Sequence, residues 1–236
     1  MARGRFKQLA VVMVGLAIML ALPATAGAAR QGDVARGKCT IVGTPGNDVL
    51  HGTPKADVIC GLAGNDTINA RGGNDIVLGG PGKDNLTGSI GNDILKGGPG
   101  NDTATGGEGD DILRGGDKKD HLFGNQGEDR LRGDKGFDLV VGGLGDDTMT
   151  GGDKRDVMRG AKGDDSMNGG QGKDMVSGGE GNDHIIGGTE VDVLNGRNGD
   201  DIVDGVDGAP GDLVRGQGGT DTCTSDAGDT EVTCEI

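Results

Sequence analysis

Apolar side chains recur at every ninth residue from Leu50 to Val203, through Ile59, Ile68, Val77 and Leu86, with Ala104 the smallest of the series. Laid out in rows of nine starting at Gly43, eighteen consecutive rows fit without a gap, and the apolar residue is always the eighth. The last three residues of a row alternate out, in, out, as a half-buried strand does. The first six read as a turn. Glycine fills the first position in every row but one, where Ala70 stands, and it is frequent at the second and fourth. Asn or Asp is common at the fifth, as in Asn47, Asn65, Asn74, Asn101 and Asp146, and these residues tolerate left-handed backbone. Glycine at this density excludes a continuous helix. A fixed short period therefore predicts a stacked all-β chain in which each row leans on its neighbours.

The sixth position is aspartate in all eighteen rows: Asp48, Asp57, Asp66, Asp75, Asp84, Asp93, Asp102, Asp111, Asp120, Asp129, Asp138, Asp147, Asp156, Asp165, Asp174, Asp183, Asp192 and Asp201. A row reads Gly-Gly-x-Gly-x-Asp-x-apolar-x, complete in Gly79–Thr87, Gly97–Thr105 and Gly178–Ile186. This motif resembles the hemolysin-type calcium-binding repeat, the RTX nonapeptide, over about two thirds of the chain. The resemblance implies a right-handed parallel β-roll with two rows per coil, one row on each side, and calcium as the ligand.

In such a roll, aspartates two rows apart stack at one strand spacing, about 4.8 Å. Two unit charges at that separation repel by about 3.5 kcal/mol at an effective dielectric near 20. A bare column would not hold together, so it requires protonation or a hard cation in each interval. Calcium takes six to eight oxygen ligands with flexible geometry, whereas magnesium keeps its waters in strict octahedra. One Asp from each of two stacked turns, with turn carbonyls, supplies an all-oxygen site. All eighteen aspartates are thus candidate Ca2+ ligands. With one buried side chain per row, the core is small against the backbone entropy of ordering the array. The expectation is that calcium binding and folding are one event.

The rows are not equal. Lys55, Lys118, Lys154 and Glu190 replace the fourth-position glycine. The last three fall on odd-numbered rows, while the even rows keep glycine from Gly73 to Gly199. The tightest file of ions is expected on the even edge, between Asp75 and Asp201. On the odd edge, Lys118 with Lys119 and Lys154 with Arg155 bring positive charge beside Asp120 and Asp156, either standing in for calcium or remaining solvated.

The flanks frame this array. Arg3, Arg5 and Lys7 precede an apolar run from Leu9 to Leu22 and small residues around Ala24–Ala28, a pattern that predicts a cleaved signal peptide over residues 1–28. The run is short for a bilayer span, and no second apolar stretch follows, so no membrane span is expected in the mature chain. Residues 29–42 form a lead-in, 43–204 the eighteen-row roll, and 205–236 irregular rows and a cap. In that last segment Gly205–Arg215 is eleven residues long, with Asp212 and Val214 two places late, and Gly216–Thr224 restores the pattern. Four cysteines in an exported chain suggest disulfides. Their bracketing of the two ends favours Cys39–Cys60 and Cys223–Cys234 over a metal site.

The formal charge of −15 argues against nucleic acid, which needs basic patches, and favours cations as partners. With no Trp or Tyr and three Phe in the whole chain, an aromatic-lined pocket is not expected. His51, His121 and His184 are not at metal-ligand spacing, and no serine sits in a nucleophile elbow. No catalytic activity is expected, and no protease, lipase or toxin domain is expected beside the repeats. These features together predict a secreted calcium-binding roll, with a calcium-stiffened structural or adhesive cell-surface protein as the alternative. No protein partner is legible.

Overall fold

The structure is a computed structural model that describes residues 39–232 and Cys234. The expected signal segment and most of the lead-in lie outside these residues. The described chain forms two parallel sheets of eleven strands each. Strands alternate between the sheets along the sequence, and each pairs with the strand two further on. Leu122, for instance, pairs with Ala104 on one side and Val140 on the other. An eighteen-residue step is therefore one coil, two rows make it, and the expected parallel β-roll is present.

The eighth-position side chains fill the space between the sheets. Ile59, Leu95, Leu113, Met149 and Ile185 come from one sheet and Ile68, Leu86, Leu122, Met158 and Leu194 from the other, all buried. Burying each contributes roughly 1.5–3 kcal/mol by taking apolar surface out of water. The core is one file of side chains, so each coil is stabilised chiefly by the coils above and below it.

The strands are longer than the row pattern predicts. From Asn85 to Asn198 each covers six residues, as in Ile112–Asp117 and Leu139–Leu144. Each takes the last three positions of one row and the first three of the next. Arg130–Arg132 pair with Thr148–Thr150, Gly133 and Gly151 are skipped, and Asp134 then pairs with Gly152. Glycine carries no strand signal of its own. Its place in the ladder is set by the neighbouring coil, as when Gly80 N–H donates to the Gly97 carbonyl at 2.9 Å.

The stack also dictates backbone where glycine is missing. Arg71, Ala161 and Arg197 at the second position, and Lys118 and Lys154 at the fourth, keep positive φ between 74° and 95°. Such conformations cost an L-residue about 1–2 kcal/mol, which the neighbouring coils offset.

Beyond Asp204 the long row keeps its register. Leu213–Gly218 pairs with Val193–Asn198, so the two extra residues are absorbed in the turn. The sheets continue to Thr230–Val232. Disulfides close both ends: Cys39–Cys60, with Cα atoms 6.1 Å apart, and Cys223–Cys234, at 5.8 Å.

Candidate functional site

Each three-residue turn leads back into the sheet through its aspartate, and this places the carboxylates. Every aspartate from Asp66 to Asp201 in the sixth position is at most 3% exposed. Oδ1 accepts the backbone N–H of the equivalent aspartate one coil earlier. Asp57 donates to Asp75 at 2.7 Å, Asp102 to Asp120 at 2.7 Å and Asp129 to Asp147 at 2.9 Å. The same bond recurs along both edges, so the aspartates form two columns, of odd and of even rows, each leaning one way.

The second carboxylate oxygen has no such partner. Oδ2 of Asp66, Asp75, Asp84, Asp93 and of each later sixth-position aspartate to Asp201 is buried without a hydrogen bond. In rows that begin with glycine it faces that glycine; the row of Asp75 begins with Ala70 instead. A Cβ on Gly79 would lie 2.5 Å from Asp84 Oδ2 and 2.9 Å from the Gly97 carbonyl oxygen of the next coil. The space that glycine leaves open is thus bordered by a carboxylate oxygen and by a carbonyl oxygen of the adjacent turn.

An orphaned buried carboxylate oxygen costs free energy, and its ionisation responds. Burial pushes Asp84, Asp93, Asp129, Asp138 and Asp174 up to about 6, against the pull of the N–H each accepts. Burial, with repulsion from neighbouring carboxylates, raises Asp102, Asp111, Asp147, Asp165, Asp183 and Asp192 to about 7. Asp120 and Asp156 reach about 8 for the same reasons. These groups need a proton or a cation.

Among the described residues no three His, Cys, Asp or Glu side chains converge on one point. A cation held here would take two carboxylates at most, with backbone carbonyls completing its shell. That donor set is all oxygen. It fits a hard ion such as calcium better than zinc, whose structural sites are built from Cys and His.

The two edges differ in how tightly their turns stack. On the even edge the fourth-position N–H donates to the third-position carbonyl one coil on, at 2.7–3.0 Å, in eight consecutive turns from Gly73 to Gly199. On the odd edge the corresponding bonds made by Gly64, Gly82, Gly100, Gly136 and Gly172 measure 3.0–3.3 Å. Glu190 N–H turns instead to the Asp207 carboxylate at 2.8 Å. Gly109, with φ +120°, shows why glycine suits the position: a Cβ there would meet the Gly91 carbonyl oxygen at 2.5 Å.

The odd-edge lysines act one coil away from where their sequence neighbours suggest. Lys118 lowers Asp102 and Lys154 lowers Asp138, in each case against a larger effect of burial. Neither lysine forms an ion pair with a column aspartate among the described residues. Lys154 instead places Nζ 5.3 Å from the centre of the Phe137 ring.

Asp48 and Asp57, at the start of the columns, are arranged differently from the rest. Thr44 N–H donates to Asp48 Oδ2 at 2.6 Å, and Thr53 N–H and hydroxyl both donate to Asp57 Oδ2 at 2.8 Å. The Thr53 bonds hold Asp57 below the usual carboxylate range. These two oxygens are already satisfied. At the other end the columns gain members. Asp192 donates to Asp212 Oδ1 at 2.8 Å and Asp201 to Asp221 Oδ1 at 3.0 Å, and both acceptors keep an orphaned Oδ2. The signal for them is a step of twenty residues in place of eighteen.

The family model described as the RTX calcium-binding nonapeptide repeat matches residues 42–77, 78–113, 105–140, 141–176 and 177–209. No curated protein matches the chain.

Proposed function

Because the chain belongs to the RTX calcium-binding nonapeptide repeat family, we propose that it is a secreted calcium-binding protein whose roll forms when calcium enters its stacked turns. The observation that carries this reading is the file of buried Asp Oδ2 atoms without partners. Two successive aspartates on one edge, such as Asp129 and Asp147, with carbonyls of their turns, hold one ion. The bound ion supplies positive charge that neutralises the column. The chain's own part is to present oxygens from a glycine-opened space, to exclude water with the flanking coils, and to keep each Oδ1 fixed by the N–H of the preceding turn.

The even-edge aspartates Asp75, Asp93, Asp111, Asp129, Asp147, Asp165, Asp183 and Asp201 form the tighter file, supported by the unbroken turn ladder. The odd-edge set Asp66, Asp84, Asp102, Asp120, Asp138, Asp156, Asp174 and Asp192 binds more weakly, because its ladder is longer and lysines share its turns. Asp48 and Asp57 serve as end caps, since threonines already satisfy them. Export fits the two disulfides, which persist in oxidising surroundings. Catalysis has no place in this reading.

Far-UV circular dichroism of the oxidised chain, titrated with calcium from chelator and with magnesium as control, tests it. A cooperative rise of β signal with calcium alone is expected. A full β spectrum in chelator at neutral pH would mean that core and disulfides suffice, and would overturn the coupling.

A further inference from the structure

The two turn edges carry opposite charge on their outward faces. At the fifth position the odd edge presents Lys83, Lys119, Arg155 and Lys173, while the even edge presents Asp110, Glu128, Asp146 and Asp164, all exposed. Each edge also carries one large apolar side chain near its middle. Phe137 on the odd edge is 54% exposed and Leu144 on the even edge 50%.

Consecutive rows turn at opposite sides of the roll, so these edges face away from each other. A second copy shifted sideways brings its even edge against the odd edge of the first, coil for coil. The shared eighteen-residue step then matches every level. At the level of whole turns, that of Lys119 comes opposite that of Glu128, that of Phe137 opposite that of Leu144 and Asp146, that of Arg155 opposite that of Lys162 and Asp164, and that of Lys173 opposite that of Glu180. An apolar contact lies at the centre, with charged pairs to either side, the usual layout of a specific interface.

We propose that the odd edge of this chain docks the even edge of a second copy, so that rolls assemble side by side. The contact joins two different faces and does not close on itself, so it extends into rows of rolls. The net charge of −15 opposes association, and every calcium ion bound adds two positive charges. Assembly is therefore favoured by calcium, a part of the proposal that rests on the reading above.

Sedimentation velocity of the oxidised chain, with circular dichroism on the same samples, tests this. Wild type in calcium at low ionic strength is expected to sediment as a series of oligomers that added salt disperses. The double variants Lys119→Glu/Lys173→Glu and Glu128→Lys/Glu180→Lys each reverse two charges on one edge and leave the aspartate columns untouched. Each alone is expected to stay monomeric, and an equimolar mixture to associate again. A folded chain that remains monomeric in calcium overturns the edge pairing and leaves the calcium reading standing. Variants that assemble like wild type overturn it as well. Monomers retained on an acidic polysaccharide would assign the basic edge to such a polymer instead. Equal assembly in calcium and in chelator upholds the edge pairing and removes its calcium dependence. A chain that calcium does not fold fails in the dichroism, which separates failure of the calcium reading from failure of the interface.

Discussion

The backbone N–H of Asp129 donates to Oδ1 of Asp147 at 2.9 Å, and Oδ2 of Asp147 stays buried with no partner. One side chain thus has two tasks, a structural bond backwards along the stack and an open acceptor for a ligand. Asp147→Asn can keep the first and loses the charge needed for the second. Its calcium midpoint is expected to move at least about tenfold upward, since one unmatched buried charge interaction exceeds about 1.4 kcal/mol. Asp147→Ala also strips the acceptor from the Asp129 N–H, adding roughly 1–3 kcal/mol of destabilisation. Calorimetric calcium titration and denaturant melts of the two variants separate the tasks. Equal behaviour of Asn and Ala would count against the division.

The raised carboxylates fix the direction of the pH response. A folded-state pKa above the unfolded value means that the folded form holds more protons, so metal-free stability falls as pH rises. The window opens near the ordinary value of 3.8 and closes where Asp120 and Asp156 titrate, at about 8. In chelator the chain is expected to show β structure near the acid end and to lose it toward the alkaline end. Calcium binding within the window releases protons, which a pH-stat records. A metal-free roll that gains stability with rising pH contradicts the assignment.

Lys118 and Lys154 hold φ values of 82° and 74°, in a conformation that glycine reaches without steric cost. Lys118→Gly/Lys154→Gly is expected to stabilise the calcium-loaded roll by about 1 kcal/mol per site. It also removes the positive charge that lowers Asp102 and Asp138. The odd edge should then bind calcium more tightly and approach the even edge. Resolved binding isotherms report this, and an unchanged odd-edge affinity would leave the lysines as solvated bystanders.

The disulfides act at the ends. Cys39–Cys60 closes a sequence separation of 21 and Cys223–Cys234 one of 11, loops for which a crosslink contributes about 3 kcal/mol. In a stack of nearest-neighbour contacts that loss stays local. Cys39→Ser/Cys60→Ser is expected to abolish amide-exchange protection in the first coils and to leave Leu122–Leu194 protected. Uniform loss of protection along the chain would instead make the roll one cooperative unit.

Much of this was legible because the period is strict. Ile59, Val77 and Leu95 mark the core and Asp57, Asp75 and Asp93 one column without any coordinates, since a repeat of fixed length allows few ways to stack. The strand extension across Gly133 and Gly151 was not legible, because glycine has no pattern of its own and the adjacent coil sets its pairing. Nor was the different status of Asp48 and Asp57, which depends on threonines four residues earlier closing back on them. Asp212, two places late, and the resumed row of Asp221 were legible, and the sheet adds that the two extra residues near Val206 bulge while the column continues. The charged edges were visible in Lys119 and Glu128 once rows were sorted by parity, but that the two rims lie on opposite sides follows from the fold.

Every column carboxylate leans toward the amino-terminal neighbour, which gives the rod a polarity. Its two ends need chemically different finishing. The leading end must supply donors to Oδ1, and the hydroxyls of Thr44 and Thr40 do so for Asp48 and Asp57, each at 3.2 Å. The trailing end must supply an acceptor, and Asp229 Oδ1 takes the N–H of Asp212 at 3.0 Å and of Gly211 at 2.7 Å. The rod can therefore be lengthened or shortened in its interior by whole eighteen-residue units without disturbing either finish. A nine-residue unit would exchange the rims beyond it, and a cap moved to the opposite end would meet the wrong partner.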